Sequence, residues 1–283
     1  MITISVINGL VYGALLLIAA SGLSMVYGLR RVVNFAHGAL YMLGAYLGYS
    51  IATHFSFWLA LLLAPLLMGF IGVLLDRFCF RLLQDKEPLS VLLVTFGLLL
   101  VIEDLVHSLW GRSNLSVSVP ELLGGSLTLF GSAVPVYRLA IVALGALVMG
   151  GLFCWIRFSR IGLYLRAAST DPTTTAMQGV NTDKVSAIVV GLGTALAGLA
   201  GVVASPMLSL APGMGSDVLI NSFVVVVIGG LGSIGGTFVA AVLLGQVQSF
   251  GIVYLPAISA LLPFMLMIAI LLWRPAGIAG NRL

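Results

Sequence analysis

Charge is what this sequence has least of. Asp, Glu, Lys and Arg make up 8% of its 283 residues, against roughly 25% in an ordinary soluble domain, while 60% are hydrophobic. That balance excludes a soluble globular protein and places the chain in a bilayer. Lysine occurs only as Lys86 and Lys184, and neither follows a glycine, so no Walker A phosphate loop exists. Cys79 and Cys154 stand alone in separate apolar runs, which excludes a disulfide framework or a cysteine metal pair and leaves both as packing residues. No H-E-x-x-H or G-x-S-x-G pattern occurs. The stretch from Met1 to Leu29 carries no charge, so it lacks the basic start of a secretory signal, and the first apolar helix is expected to be retained.

Long apolar runs are what the sequence has in abundance. Spans are expected at Ile7–Tyr27, Ala36–Thr53, Phe57–Phe80, Leu89–Leu109, Val136–Phe158, Val185–Leu208 and Pro256–Trp273. The stretch Asp217–Gly251 is too long for one crossing and short for two. The fold class is therefore an all-α integral membrane protein of about eight or nine transmembrane helices with Gly-rich broken or re-entrant segments. One transmembrane domain accounts for residues 1–283, with no room for a separate soluble domain. Small-residue pairs at helix-packing spacing, Gly9 with Gly13, Gly44 with Gly48 and Gly232 with Gly236, point to a close-packed core.

The formal charge of +4 does not indicate nucleic-acid binding, because the basic residues sit singly or in pairs at segment ends. Arg30, Arg31, Arg77, Arg81, Lys86, Arg157, Arg160, Arg166, Lys184, Arg274 and Arg282 fall on one side if the N-terminus is external; Arg112 and Arg138 fall on the other. The positive-inside rule then predicts a cytoplasmic C-terminus and a cytoplasmic loop at about 157–184.

That loop is the one long polar island, and it spells out a short helix. Asp171 is suited to accept hydrogen bonds from the first free N–H groups, Pro172 to the first helical position, and Gly179 to a left-handed stop. Thr173–Gln178 would form about two turns, too few to persist alone in water, so a partner is expected to pack on them.

Two breaks interrupt the apolar pattern: Asn34-Phe35-Ala36-His37-Gly38 early and Gly229-Gly230-Leu231-Gly232-Ser233-Ile234-Gly235-Gly236 late. Two readings fit. Asn34 and His37 cap a helix at the surface and the late glycines form a tight loop, or unwound backbone at membrane depth lines a transport path. Glu103, Asp104 and His107 lie in the fourth run, where a structural role and a proton relay both fit; of the three, Glu103 and His107 share a helix face.

Three motifs resemble the branched-chain amino-acid type permeases of bacterial ABC importers, LivH-like subunits with urea and amide permeases as close relatives. They are Gly22-Leu23-Ser24-Met25-Val26-Tyr27-Gly28 through Val33–Gly38 to Gly44-Ala45-Tyr46; Arg160-Ile161-Gly162 with Arg166-Ala167 and Gly179–Lys184; and Val226–Gly236. Thr95-Phe96-Gly97 and Arg274-Pro275-Ala276-Gly277 extend the match over nearly the whole chain. The resemblance implies a type II importer-like permease in the bacterial inner membrane. It implies a second, homologous permease, two ATP-binding subunits that use ATP and Mg, and a periplasmic substrate-binding protein, with no cofactor on this chain beyond contact with membrane lipid. The expected cargo is a branched-chain or related apolar amino acid; urea, short amides, aromatic compounds and a proton-coupled mechanism are the alternatives. Arg160, Gly162, Arg166, Asp171, Pro172, Gly179 and Asn181 would form the ATPase-coupling loop. Asn34, His37, Gly38, Thr95, Gly97, Gly229, Gly230, Gly232 and Ser233 are the candidates for the path. The polar run Ser169–Thr175 departs from the more helix-prone sequence frequent in the family.

Overall fold

In hydrocarbon an apolar chain has only its own backbone to satisfy its amides, and this one does so with helices. The computed structural model describes residues 2–83, 86–129 and 131–280; Arg282, used above for orientation, lies outside them. The helices are α1 (Ile2–Arg30), α2 (Ala36–His54), α3 (Phe57–Leu75), α4 (Pro88–Trp110), α5 (Val136–Phe158), α6 (Arg160–Thr170), α7 (Pro172–Met177), α8 (Thr182–Ala204), α9 (Met214–Gly229), α10 (Ile234–Tyr254) and α11 (Leu262–Trp273). A π-helical turn, Asp76–Phe80, extends α3.

Among the described residues seven helical stretches are long and apolar enough to cross a membrane. The more polar α2, with 19 residues, and the short α9, with 16, run among them. The ambiguous stretch 217–251 resolves into α9 and α10, joined by a tight turn at 230–233.

Two helices form the centre. The apolar window of α8 is 72% buried and that of the stretch Pro256–Trp273, which ends in α11, only 6%, so α8 is an interior helix and α11 a peripheral one. Close approach, not side-chain bulk, holds α1 and α8 in place. A Cβ added to Gly22 would lie 2.4 Å from the Gly193 carbonyl oxygen, and one on Gly44 2.4 Å from the Gly198 Cα. Gly9 and Gly13 seat α1 on α10 in the same way. The third expected pair is corrected: Gly232 lies in the turn before α10 with φ +81°, so Gly232 and Gly236 do not share a helix face.

Loops rich in Arg and Lys gather at one end of the bundle, where Arg30 reaches Asp76 and Arg81 reaches Asp183. At the opposite end a small hairpin, β1 (Ser126–Leu129) and β2 (Ser132–Pro135), precedes α5. Nearby, Leu115 and Leu210 form an isolated bridge, and the Trp110 indole N–H donates to the Ser50 hydroxyl at 2.7 Å.

Candidate functional site

The early break is recessed. Arg31 ends α1 with φ 53°, the one left-handed non-glycine among the described residues, and the chain turns back along the helix it has just left. Asn34 Oδ1 accepts the Ala36 N–H at 3.0 Å and its carbonyl accepts the His37 N–H at 3.2 Å, which fixes the first turn of α2. The His37 ring then bonds through Nε2 to the Ala19 carbonyl at 2.9 Å. Ala19 lies in the body of α1, and at about 1.5 Å per residue it is about 16 Å from Arg30. Asn34 thus takes up the first amide of α2 from just outside the helix, while His37, expected beside it as a cap, bonds to α1 instead, and α2 begins inside the bundle and not at its surface. Gly38 closes the arrangement: a Cβ there would stand 2.1 Å from the Gly215 carbonyl oxygen, so the starts of α2 and α9 touch.

A cavity of about 460 Å³ runs from the basic end to this recessed start. Apolar residues, among them Val26, Leu29, Val33, Phe80 and Val91, line it together with Asn34, Thr95, Thr173, Thr182 and Ser186, with Arg30, Arg31 and Lys86 as cations and Asp183 as the acid. Apolar lining with a few polar groups is the make-up of a small-molecule site. Of the predicted path residues, Asn34 and Thr95 line this space together. His37 and Gly38 do not line it, being packed on Ala19 and Gly215, and Gly97 has nothing within 4 Å of its missing Cβ.

Beside the cavity lies an ion pair that the sequence reading did not single out. Asp76 is fully buried in the π-helical turn and receives Arg30 Nη2 at 2.5 Å and the Ser186 hydroxyl at 2.8 Å. Arg30 Nη1 also reaches the Phe80 carbonyl at 3.1 Å. The cluster binds the ends of α1, α3 and α8 together. An acidic residue inside an apolar run was the available signal, because a charge there requires a partner.

The polar island folds as its end signals predict and holds one more helix than expected. Ser159 caps α6 by accepting the Gly162 N–H at 2.9 Å, and Gly162 has no room for a side chain, since a Cβ would lie 2.3 Å from the Ile156 carbonyl. Arg166 donates to that same carbonyl, folding α6 back on α5; Arg160 is exposed. Asp171 Oδ1 accepts the Thr173 and Thr174 N–H groups at 3.0 and 3.1 Å, with Pro172 in the first turn of α7. The Thr174 hydroxyl and N–H donate to the Asp171 carboxyl and hold it below the usual carboxylate range. Gly179 is left-handed at φ 83°, and Asn181 caps α8 through the Lys184 N–H at 2.9 Å. The β-branched Thr run stays helical because its hydroxyls have local partners; that of Thr175 donates to the Asp171 carbonyl at 2.7 Å. Met177, 80% exposed, gives this polar element an apolar tip that sequence reasoning passed over.

The late break is built differently. Gly230 and Gly232 adopt φ +100° and +81°, Ser233 caps α10 by accepting the Gly236 N–H at 3.2 Å, and Gly229 meets Gly236 with no space for a Cβ on either. The chain's last described segment clasps the turn: Ile278 and Ala279 donate to the Ile228 and Gly229 carbonyls at 2.8 and 3.0 Å. Gly229, Gly230, Gly232 and Ser233 therefore sit in a packed turn at the basic end, and none of them is among the residues lining the cavity.

A further interruption, 205–213, went unread between α8 and α9. Its signal was the punctuation Ser205-Pro206 and Ala211-Pro212-Gly213. It brings Gly213 beside Glu103, whose carboxylate oxygen lies 3.3 Å from where a Cβ would be, and sets Gly215 against Gly38. Glu103 is half-buried and Asp104 exposed. No cluster of three His, Cys, Asp or Glu suited to a metal occurs among the described residues.

Comparison with known proteins agrees with this architecture. BraD of Pseudomonas aeruginosa, a high-affinity branched-chain amino acid transport system permease protein, is 30% identical over 97% of this chain and 94% of its own length. LivH of Escherichia coli, described in the same words, is 29% identical over 97% and 94%. A probable branched-chain amino acid transport permease protein LivH of Methanocaldococcus jannaschii is 24% identical over 96% and 91%. No solved structure matches. The family model described as branched-chain amino acid transport system / permease component matches residues 5–271, and the chain, a multi-pass helical membrane protein, belongs to that family.

Proposed function

We propose that this chain, a single domain over residues 1–283, is the permease subunit of an ATP-driven importer that passes branched-chain or related apolar amino acids across the bacterial inner membrane. The observation that carries this reading is the cavity, lined both by Val33 and Asn34 just before α2 and by Pro172 and Thr173 of the polar island. In this reading the basic end is cytoplasmic, the N-terminus periplasmic, and α6–α7 is the coupling element on which an ATP-binding subunit docks, with Met177 as its apolar contact. Arg160, Gly162, Arg166, Asp171, Pro172, Gly179 and Asn181 give that element its shape. ATP and Mg belong to two partner ATPase subunits, a second permease completes the membrane part, and a periplasmic binding protein delivers the cargo.

Asn34 and Thr95 are assigned to the path itself. His37 and Gly38 fix the recessed start of α2 against Ala19 of α1 and Gly215 of α9, Gly229, Gly230, Gly232 and Ser233 hold the α9–α10 turn at the other end of α9, and Gly97 stays a path candidate on α4. An apolar amino acid fits such a space, its side chain against Val33 and Phe80 and its charged ends among Asn34, Thr95 and the basic mouth. The test is uptake of labelled leucine into proteoliposomes holding the permease pair, the ATPases and the binding protein. ATP-dependent uptake that falls when Pro172 and Gly179 are replaced supports the assignment. Uptake that persists without ATP and is abolished by Glu103→Gln with Asp104→Asn supports proton coupling instead.

A further inference from the structure

One side chain at the end of α1 reaches the polar island. Arg31 Nη2 donates to the carbonyl oxygens of Ser169 at 3.0 Å and Thr170 at 3.4 Å, across 138 and 139 positions of sequence. These are the last carbonyls of α6, which have no intrahelical partner and form the negative end of its dipole, so a guanidinium is a fitting terminus for that helix. The next residue, Asp171, opens α7. Arg31 therefore grips the elbow between the two helices of the polar island.

The other side of Arg31 is equally constrained. Its backbone is left-handed at φ 53° and its N–H closes the last turn of α1 on the Tyr27 carbonyl at 2.7 Å. The preceding Arg30 is fixed to buried Asp76. Val32, Val33 and Asn34 then run directly into the cavity wall and the recessed start of α2. A left-handed non-glycine residue persists only where its surroundings hold it, and here the holding contacts are to the elbow on one side and to α1 on the other. The elbow contact, the end of α1 and the segment that carries Asn34 thus meet at this one residue.

We infer that Arg31 is the positioning residue that links displacement of the α6–α7 elbow to the cavity-lining segment 32–34, and so sets how much transport each ATP turnover yields. The inference rests on the coupling role proposed above for α6–α7. In the reconstituted importer, the ratio of leucine taken up to ATP hydrolysed is measured for wild type, Arg31→Ala, Arg31→Lys and Arg31→Gly, with Pro172→Ala/Gly179→Ala as a parallel arm. The expected result is a ratio about tenfold lower for Arg31→Ala. Arg31→Gly, which relaxes the backbone but removes the tie, should be equally low, and Arg31→Lys, which retains a cationic donor, should recover part of the ratio. A wild-type ratio for Arg31→Ala, or Arg31→Gly behaving as wild type, overturns the inference. If the parallel arm also keeps the wild-type ratio, the coupling role itself has failed; if that arm falls and Arg31→Ala does not, only the link through Arg31 has.

Discussion

The early and late breaks look alike as sequence and differ in construction. Both are short, polar or glycine-rich interruptions at the basic end, and Gly28 and Gly232 bring them within contact of each other. The early one is held by side chains: Arg30 on Asp76, Asn34 on the α2 backbone and His37 on the Ala19 carbonyl. Such directional bonds let it climb into the bundle and line a cavity. The late one is held by backbone, with glycines pressed together and carbonyls taken up by residues 278 and 279. Close backbone contact between Gly229 and Gly236 makes the late break a joint. Two interruptions that look alike as sequence therefore differ in whether they border the cavity.

This contrast is best broken at the anchors. Asp76→Ala leaves Arg30 beside a buried site without its counter-ion and should cost about 3–5 kcal/mol, seen as loss of membrane-inserted protein and a lower Tm in detergent. Recovery of full stability would mean that the early break does not depend on its ion pair. Within the late break, Gly236→Val forces a side chain onto the Gly229 carbonyl and should cost about 1–3 kcal/mol by overpacking, whereas Gly235→Ala, with nothing within 4 Å, should be neutral in the same melts. Equal effects at the two positions would contradict the account of the turn.

Weaker and more specific effects are expected where the early break meets the cavity. Asn34→Asp keeps the acceptor for Ala36 but puts a carboxylate in the passage. Uptake should fall about tenfold, equivalent to about 1.4 kcal/mol, with the amount of inserted protein unchanged. Thr95→Val, similar in shape without the hydroxyl, should reduce uptake less. If Gly97→Ala, at a position that does not line the cavity, matched either of them, the division between lining and non-lining residues would be wrong.

The smallest effect concerns pH. Because the Asp171 carboxyl is held below its usual range, its contribution to α7 is complete above the ordinary aspartate value near ~3.9 and is lost only as pH falls through the lower folded value. Uptake per ATP should therefore be flat between about pH 5 and 8 as far as this cap is concerned. Asp171→Asn should leave that profile unchanged, and Asp171→Ala should lower the ratio at every pH.

Much of the fold was legible because a bilayer punishes exposed backbone so heavily that apolar length alone dictates helix. The ends of α7 were legible for a local reason: Asp171, Pro172 and Gly179 act on neighbours within four residues. The α6 helix was missed although its start is written locally, in Ser159 capping Gly162; what lies far off in sequence is the tie at its other end, Arg31 on Ser169. Asp76 was missed because its partner, Arg30, lies 46 residues away and read as a topology signal.

By itself, then, the sequence determined the membrane class, the basic end and the capped helix of the polar island, all matters of composition or of bonds between near neighbours. Tertiary structure alone decided that α2 starts about 16 Å inside the bundle, that the late glycines form a joint, and that Arg31 ties the island to the cavity. Each of these depends on which backbone groups meet across the chain, and a run of residues carries no record of that until the helices pack.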